Sequence, residues 1–233
     1  MRAALCIGGE APDVKKIYSI IEDVDVIAAA DSGFDTLYKA GIEPEFLVGD
    51  MDSTEYPDKV KAYPRDKVEI VPRDKEETDT EIALRRLHER GIEDVTLIGG
   101  GGGRLDHLLG IVTLFDRDIR PREWYTRSDR VVSIEEKIFL EGLEGLTVSL
   151  FPVGKETCRL KSTGLKWPLD KLVWEKGDAG ISNLVTEEVL VLEPIEGRAI
   201  MVYSFAEEVN TETVSHTASR NRNDENSRAR LFS

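Results

Sequence analysis

Cysteine is scarce: Cys6 and Cys158 are the two in 233 residues, with no C-x-x-C spacing between them. That excludes a disulfide framework and a thiolate zinc or dithiol redox centre, and it suits a reducing cytosol. Basic charge is also short, with 31 Lys and Arg against 45 Asp and Glu and a formal net charge of -14. Nucleic-acid and anionic-membrane partners need a basic face that displaces counterions, so both are excluded, whereas a small cationic substrate would be tolerated or weakly attracted. Long apolar runs are missing. The N-terminal MRAALCIGGE is broken by Gly8, Gly9 and Glu10, which leaves a stretch too short for a secretion signal or a membrane span. Neither G-x-x-x-x-G-K-[ST] nor G-x-G-x-x-G occurs, because Arg104 or Leu105 stands where the third glycine would have to be. No internal repeat of 20 to 50 residues is detectable.

What the chain does have is 40% hydrophobic residues, enough for one large domain or two modest ones. Ala3–Ile7, Val26–Ala30, Phe46–Val48, Val68–Val71 and Val95–Ile98 are continuous apolar runs, the form taken by parallel strands buried on both faces. Between them lie helical spacings: Val14, Ile17, Tyr18 and Ile21; Phe34, Leu37 and Tyr38; Ile82, Ala83 and Leu87. Thr78 and Glu81 form a capping box that makes Asp79 the first residue of its helix, and Gly91 supplies the stop. This alternation predicts an α/β N-terminal domain over 1–126 with a parallel, Rossmann-like sheet. After about residue 120 come REWYT, RVVSI, KIFL, LTVSLFPV, EEVLVLEP and RAIMVYSF, short β-rich runs punctuated by Gly, Pro and Asn. They predict an all-β sandwich over 127–206, and the apolar-poor stretch 207–233 reads as a flexible tail.

Acidic groups follow the strands. In an open parallel sheet ligands bind beyond the carboxyl ends of the strands, so Asp31, Asp50, Asp52, Asp74, Asp79 and Asp106 should converge on one crevice, and a metal-assisted phosphate site is the expected result. In Gly49-Asp50-Met51-Asp52-Ser53 an extended backbone would turn Asp50 and Asp52 to one side, where Mg²⁺ could neutralise them; an Asp/Ser turn capping the next helix is the plainer alternative. Asp31-Ser32-Gly33 could offer helix N–H groups to a phosphate or ribose, or simply cap that helix. In Arg73 to Asp79, Lys75 could meet phosphate while Asp79 shares the metal; read alone, the segment is a solvated charged loop. Five glycines, Gly99–Gly103, precede Arg104-Leu105-Asp106-His107, and so costly a run points to close approach of a ligand to the backbone. Arg104 could clamp phosphate, Asp106 could take metal or a proton, and His107 could contact phosphate or cap a helix. His88 and His216 have no partners in view, and Trp124 and Trp174 are expected inside the β domain.

Taken together, ADSG (30–33), GDMDS (49–53), KEETD (75–79), GGRLDH (102–107), STGLKWPL (162–169) and ISN (181–183) resemble the motifs of thiamine pyrophosphokinases, in order and across residues 1 to 205. The resemblance implies an α/β domain, a β-sandwich domain and a homodimer with active sites at the subunit interface. It also implies transfer of a pyrophosphoryl group from ATP to the thiamine hydroxyl with Mg²⁺. It assigns Asp50, Asp52 and Asp79 to metal and acidic catalytic roles, with Asp106 near the reacting centre. Asp31, Ser32, Lys75, Arg104 and His107 fall to ATP, and Ser182, Asn183 and Trp167 to thiamine. Trp167, beside Pro168, also reads as a core tryptophan. Two features depart from the family pattern: the lengthened glycine run and the Arg/Asn-rich tail. Asp50-Met51-Asp52-Ser53-Thr54 also fits the D-x-D-x-T of haloacid-dehalogenase-like phosphatases, with Asp50 as nucleophile, and a non-catalytic nucleotide or vitamin sensor is a further reading.

Overall fold

The computed structural model describes residues 1–205; the expected tail over 207–233, with His216, lies outside the described residues. The five apolar runs are strands β1 (Arg2–Ile7), β2 (Val26–Ala30), β3 (Phe46–Gly49), β4 (Val68–Ile70) and β5 (Asp94–Gly99). All are parallel, in the order β5-β1-β2-β3-β4. Their continuous hydrophobicity has a direct cause, since successive residues serve opposite faces. Ala3, Leu5 and Ile7 enter one core, while Ala4 and Cys6 enter another. Helices α1 (Val14–Ile21), α2 (Gly33–Ala40), α3 (Pro57–Ala62), α4 (Asp79–Glu89) and α5 (Leu105–Leu114) occupy the connections. α4 begins as predicted, with Thr78 and Glu81 forming a complete capping box.

The segment REWYT, grouped with the later β-rich runs although it lies within the 1–126 bounds, joins the parallel sheet. Its strand β6 (Glu123–Tyr125) does not belong to a separate β layer but pairs parallel with β5, becoming a sixth parallel strand. A turn at Thr126–Asp129, closed by Thr126 N–H on the Asp129 carbonyl at 2.9 Å, leads into β7 (Asp129–Ile134), antiparallel to β6. Trp124 is corrected with it: the ring is buried in the core of the parallel half, and its indole N–H donates to the Gly99 carbonyl at 2.7 Å. The remaining strands are β8 (Ile138–Glu141), β9 (Thr147–Val153), β10 (Arg159–Thr163), β11 (Gly180–Leu184), β12 (Val189–Glu196) and β13 (Arg198–Ser204). One ten-stranded sheet, β11-β9-β13-β7-β6-β5-β1-β2-β3-β4, therefore runs through both halves. Its antiparallel end is covered by a three-stranded sheet, β10-β12-β8, and the two layers enclose a core that includes Ile134, Leu150, Trp174, Leu190 and Met201. The fold classes expected of the two halves are both present. No helix among the described residues is long and apolar enough to cross a membrane.

Candidate functional site

Beyond the carboxyl ends of the parallel strands lies a cleft of about 760 Å³, walled by the turn after β1, the first residues of α2 and α4, the glycine loop and α5. Asp31 and Asp79 line it, and Asp50 joins them. Ligand oxygens of Asp31, Asp50 and Asp79 lie within 4.8 Å of one another, delivered by the ends of β2 and β3 and by the first residue of α4. Asp31 adopts a left-handed backbone (φ 47°), and its N–H donates to the Val48 carbonyl at 2.9 Å. Gly49 permits this approach, because a Cβ there would stand 3.0 Å from both the Cα and the N of Asp31.

The expected partnership of Asp50 with Asp52 does not form, and the reason is local. Met51 has φ 58°, so the segment is not extended and the two-residue alternation of side chains fails. The Asp52 N–H instead donates to Asp50 Oδ1 at 3.1 Å, and the Asp52 carboxylate turns to Arg73 at 3.1 Å. Asp31, assigned to ATP by the resemblance, takes the third place among the clustered acids. The threonine that completes D-x-D-x-T is accounted for as well: Thr54 donates to the buried Asp35 at 2.5 Å, and Glu55 N–H donates to the same carboxylate at 2.8 Å, which ties the acidic loop to α2.

The donor set fits a hard divalent cation. Asp31 Oδ1 is buried with no hydrogen-bond partner, and Asp79 Oδ1 likewise accepts none, its neighbour being the Lys75 ammonium at 3.1 Å. Burial raises the Asp31 pKa, and the Asp79 and Asp50 charges add to the rise against the opposing Ser32 N–H and Ser53 side chain. Carboxylates so crowded and so short of donors call for a cation with oxygen-ligand preference. Lys75 also donates to the Pro72 carbonyl at 2.9 Å, so it bridges its loop to Asp79.

Around these acids the other predicted residues are spread. Ser32 stands at the start of α2 without a side-chain cap bond, and a Cβ on Gly8 would lie 2.4 Å from its Oγ. Arg104, the residue preceding α5, forms a two-pronged pair with Asp106 at 3.1 and 2.6 Å, both groups largely exposed. That pair holds the Asp106 carboxyl below its usual range. His107 lines the same wall in the first turn of α5 rather than capping it. The glycine run has an internal explanation at four of its five positions. Added Cβ atoms would meet the Ile7 carbonyl at Gly99 (2.3 Å), Ile111 at Gly100 (2.5 Å) and Glu10 at Gly101 and Gly102 (2.8 and 2.6 Å). Gly103 alone in the run has open space beside it. Glu10, which sequence reasoning missed, exchanges backbone hydrogen bonds with Gly101 at 2.7 and 3.1 Å and lines the cleft; nothing in its local sequence marked it.

The residues proposed for the second substrate lie on the antiparallel half. Ser182 is left-handed (φ 59°), and its N–H donates to Ser149 Oγ at 3.1 Å. Asn183 is buried and fully engaged: its amide nitrogen donates to the Trp167 carbonyl at 2.7 Å, while its oxygen accepts from the N–H groups of Trp167 at 3.2 Å and Leu184 at 2.9 Å. Trp167 is not a core residue. It is 54% exposed, with the Lys166 ammonium 4.7 Å from its ring centre, near the sequence neighbours Leu172 and Val173 that are also exposed. His88 is an exposed member of the last turn of α4.

Comparison with known proteins gives a consistent outcome. The family described as thiamin pyrophosphokinase, catalytic domain, matches residues 17–120, and that described as thiamin pyrophosphokinase, vitamin B1 binding domain, matches residues 134–192. Thiamine pyrophosphokinase 1 of rice (Oryza sativa subsp. japonica) is 27% identical over 164 residues, covering 64% of this chain and 61% of its own length. The match thus spans less than two thirds of that curated relative. A thiamin pyrophosphokinase crystal structure from Geobacillus thermodenitrificans superposes with a TM-score of 0.67 at 27% identity, over 88% of this chain and 97% of the other. One from Bacillus subtilis gives a TM-score of 0.72 at 25% identity, over 88% and 99%.

Proposed function

The chain belongs to the thiamin pyrophosphokinase family, and from that premise we propose that its crevice transfers the pyrophosphoryl group of ATP to the hydroxyl of thiamine, giving thiamine diphosphate and AMP. One observation carries this reading: carboxylates from two strand ends and from the first residue of α4 gather within 4.8 Å of one another beside a cleft, with Asp31 Oδ1 and Asp79 Oδ1 buried and accepting no hydrogen bond. A phosphatase using Asp50 as nucleophile is not favoured, since Asp52 faces Arg73 and Thr54 is tied to Asp35.

In this reading Asp31, Asp50 and Asp79 hold Mg²⁺, with Asp52 orienting Asp50 through its N–H. The ion, once bound, neutralises phosphate oxygens and the charge that develops on them. Lys75, Arg104 and His107 address the nucleotide, Arg104 exchanging Asp106 for phosphate, and Ser32 offers a hydroxyl at the start of α2. Thiamine sits against the Trp167 and Ser182 edge, with Asn183 shaping that edge rather than contacting the vitamin. The hydroxyl oxygen attacks the β-phosphorus in line, the bond from that phosphorus to the α-bridging oxygen breaks, and AMP departs. Positioning and charge neutralisation do most of the work. The hydroxyl proton passes late to a carboxylate, Asp79 or Asp106.

We further assign a homodimer. Leu105, Leu109 and Val112 form an exposed apolar stripe at helical spacing on α5, and Trp167, Leu172, Val173 and Ile181 are exposed on the other half, two surfaces that a second copy could cover. Light scattering on purified protein checks it, and a monomer at micromolar concentration would refute it. Two buried free thiols, Cys6 pushed up to about 12 and Cys158 to about 11 by burial, agree with the cytosol as its location. The decisive assay supplies ATP and Mg²⁺ with and without thiamine. AMP appearing only with thiamine is expected; thiamine-independent phosphate release would mean a phosphatase, and no turnover a sensor.

A further inference from the structure

We propose that Arg117 is a positioning residue for the acidic trio, acting through Glu81 to fix Asp79; the proposal rests on the metal reading above. Asp79 is the first residue of α4, and Thr78 before it and Glu81 two residues after it close the capping box. Thr78 N–H donates to Glu81 Oε2 at 2.6 Å, and Glu81 N–H donates to Thr78 Oγ1 at 3.3 Å. A capping glutamate ordinarily needs no more than water on its other oxygen. Here the Glu81 side chain is only 12% exposed, and Oε1 is met by the Arg117 guanidinium. The first turn of α4 is thereby clamped from outside the helix.

The clamp has a rigid mount. The Arg117 carbonyl accepts from Arg120 Nη1 at 3.2 Å and from Arg198 Nη2 at 3.3 Å. The adjacent Asp116 takes Gly154 N–H at 2.7 Å and the Lys176 ammonium at 2.8 Å on its carboxylate, and Arg198 Nη2 at 3.0 Å on its carbonyl. Gly154 follows β9, Arg198 opens β13, and Lys176 lies in the loop before β11. So the antiparallel half holds residues 116 and 117, and residue 117 holds the helix turn that carries Asp79. Without the guanidinium, a nearly buried carboxylate two residues from Asp79 would lose its counter-ion. Glu81 would then swing toward water and the cap would loosen. Groups that only orient a metal ligand typically change metal affinity 10–100-fold, and a strut one step further back belongs at the lower end.

Arg117 also lines the cleft, so direct contact with nucleotide phosphate is the competing explanation. Mn²⁺ binding to the full-length protein without ATP or thiamine, read by the electron paramagnetic resonance of free ion, separates the two. Arg117→Met is expected to weaken Mn²⁺ binding about tenfold, and Arg117→Lys to restore most of it. Glu81→Gln, which keeps the cap acceptor and removes the charge partner, should resemble Arg117→Met, and the double variant should bind no worse than the weaker single. At saturating Mn²⁺ the KM for ATP should return to that of the unaltered protein. Unchanged Mn²⁺ affinity in Arg117→Met together with a raised KM for ATP would overturn the proposal in favour of phosphate contact. Failure of the unaltered protein to bind Mn²⁺ would overturn the metal reading itself, and this proposal with it.

Discussion

The two ends of the ten-stranded sheet treat polar groups near their functional edges in opposite ways. At the parallel end, Asp31 Oδ1 is buried without a partner and three carboxylates crowd within 4.8 Å. Like charges at that separation repel by about 3–4 kcal/mol per pair at an effective dielectric of about 20. At the antiparallel end, Asn183 uses both its amide nitrogen and its amide oxygen, and the exposed groups near it include Trp167 and Ile181 beside Ser182 and Lys166. At these two edges the unmet carboxylate oxygen of Asp31 marks where a ligand is due, and the engaged amide of Asn183 marks architecture. The residue type alone would not have separated the two, since Asp31 and Asn183 both stand in motifs shared with one family. In the proposed reading, the state of their hydrogen bonds places the metal chemistry at one end and a shaping role at the other.

The strongest way to break this contrast is at the acids. Asp50→Ala should lower turnover by more than about 100-fold, beyond the range for groups that merely support a metal ligand, while circular dichroism stays unchanged. Asp52→Ala should do less, about 10–100-fold, because it removes the carboxylate that pairs with Arg73 and leaves the backbone N–H that donates to Asp50 Oδ1. Equal losses from the two substitutions, measured as AMP formation at saturating Mg²⁺, would return Asp52 to the ligand set and remove the distinction drawn from the Met51 turn.

That distinction also shows where sequence reasoning runs out. The five parallel strands were legible because a buried parallel strand must be apolar on both faces, a property of composition that needs no knowledge of neighbours. The start of α4 was legible for a similar reason, since Thr78 and Glu81 satisfy each other within one turn. Convergence of the acids followed from topology. Which acids converge did not, because it depends on Met51 taking φ 58° and on Gly49 letting its backbone close on Asp31, a contact between two strands. The three residues of β6 carry no mark of direction, so their parallel pairing with β5 was invisible, and Trp124 followed them into the first core. The cost of the glycine run points toward a ligand, whereas Ile7, Glu10 and Ile111 account for most of it. Exposure of Trp167 was equally out of reach, since Asn183 holds its backbone from another strand.

At the antiparallel end the sharpening test is Asn183→Ala. The substitution strands the Trp167 carbonyl and N–H and the Leu184 N–H, at a cost of about 2–3 kcal/mol for three part-buried groups left short of partners. In a chain of this size that corresponds to a fall in Tm of roughly 4–12 °C. The KM for thiamine should rise with the loosened Trp167 loop while kcat at saturating thiamine falls less. An unchanged Tm with a lost kcat would mean that Asn183 touches the reacting groups, and the two ends would no longer differ in kind.

The smallest effect is one of pH, and it probes the parallel end without substrate. Burial, together with the Asp79 and Asp50 charges, raises the Asp31 pKa above its unfolded value. A group raised in this way binds its proton more tightly when folded, so its contribution to stability is complete below the unfolded pKa and is lost as pH rises through the folded one. In metal-free protein, Tm should therefore include a component that declines from acidic toward neutral pH. Asp31→Asn should remove that component and leave the metal-free variant more stable than the unaltered protein near neutrality, though unable to gain from Mg²⁺. Differential scanning calorimetry across this range, with and without Mg²⁺, reads both. If Asp31→Asn were instead less stable at neutral pH without metal, the carboxylate would be stabilising the apo fold. The crowding at the strand ends would then be architecture, as Asn183 is at the other end.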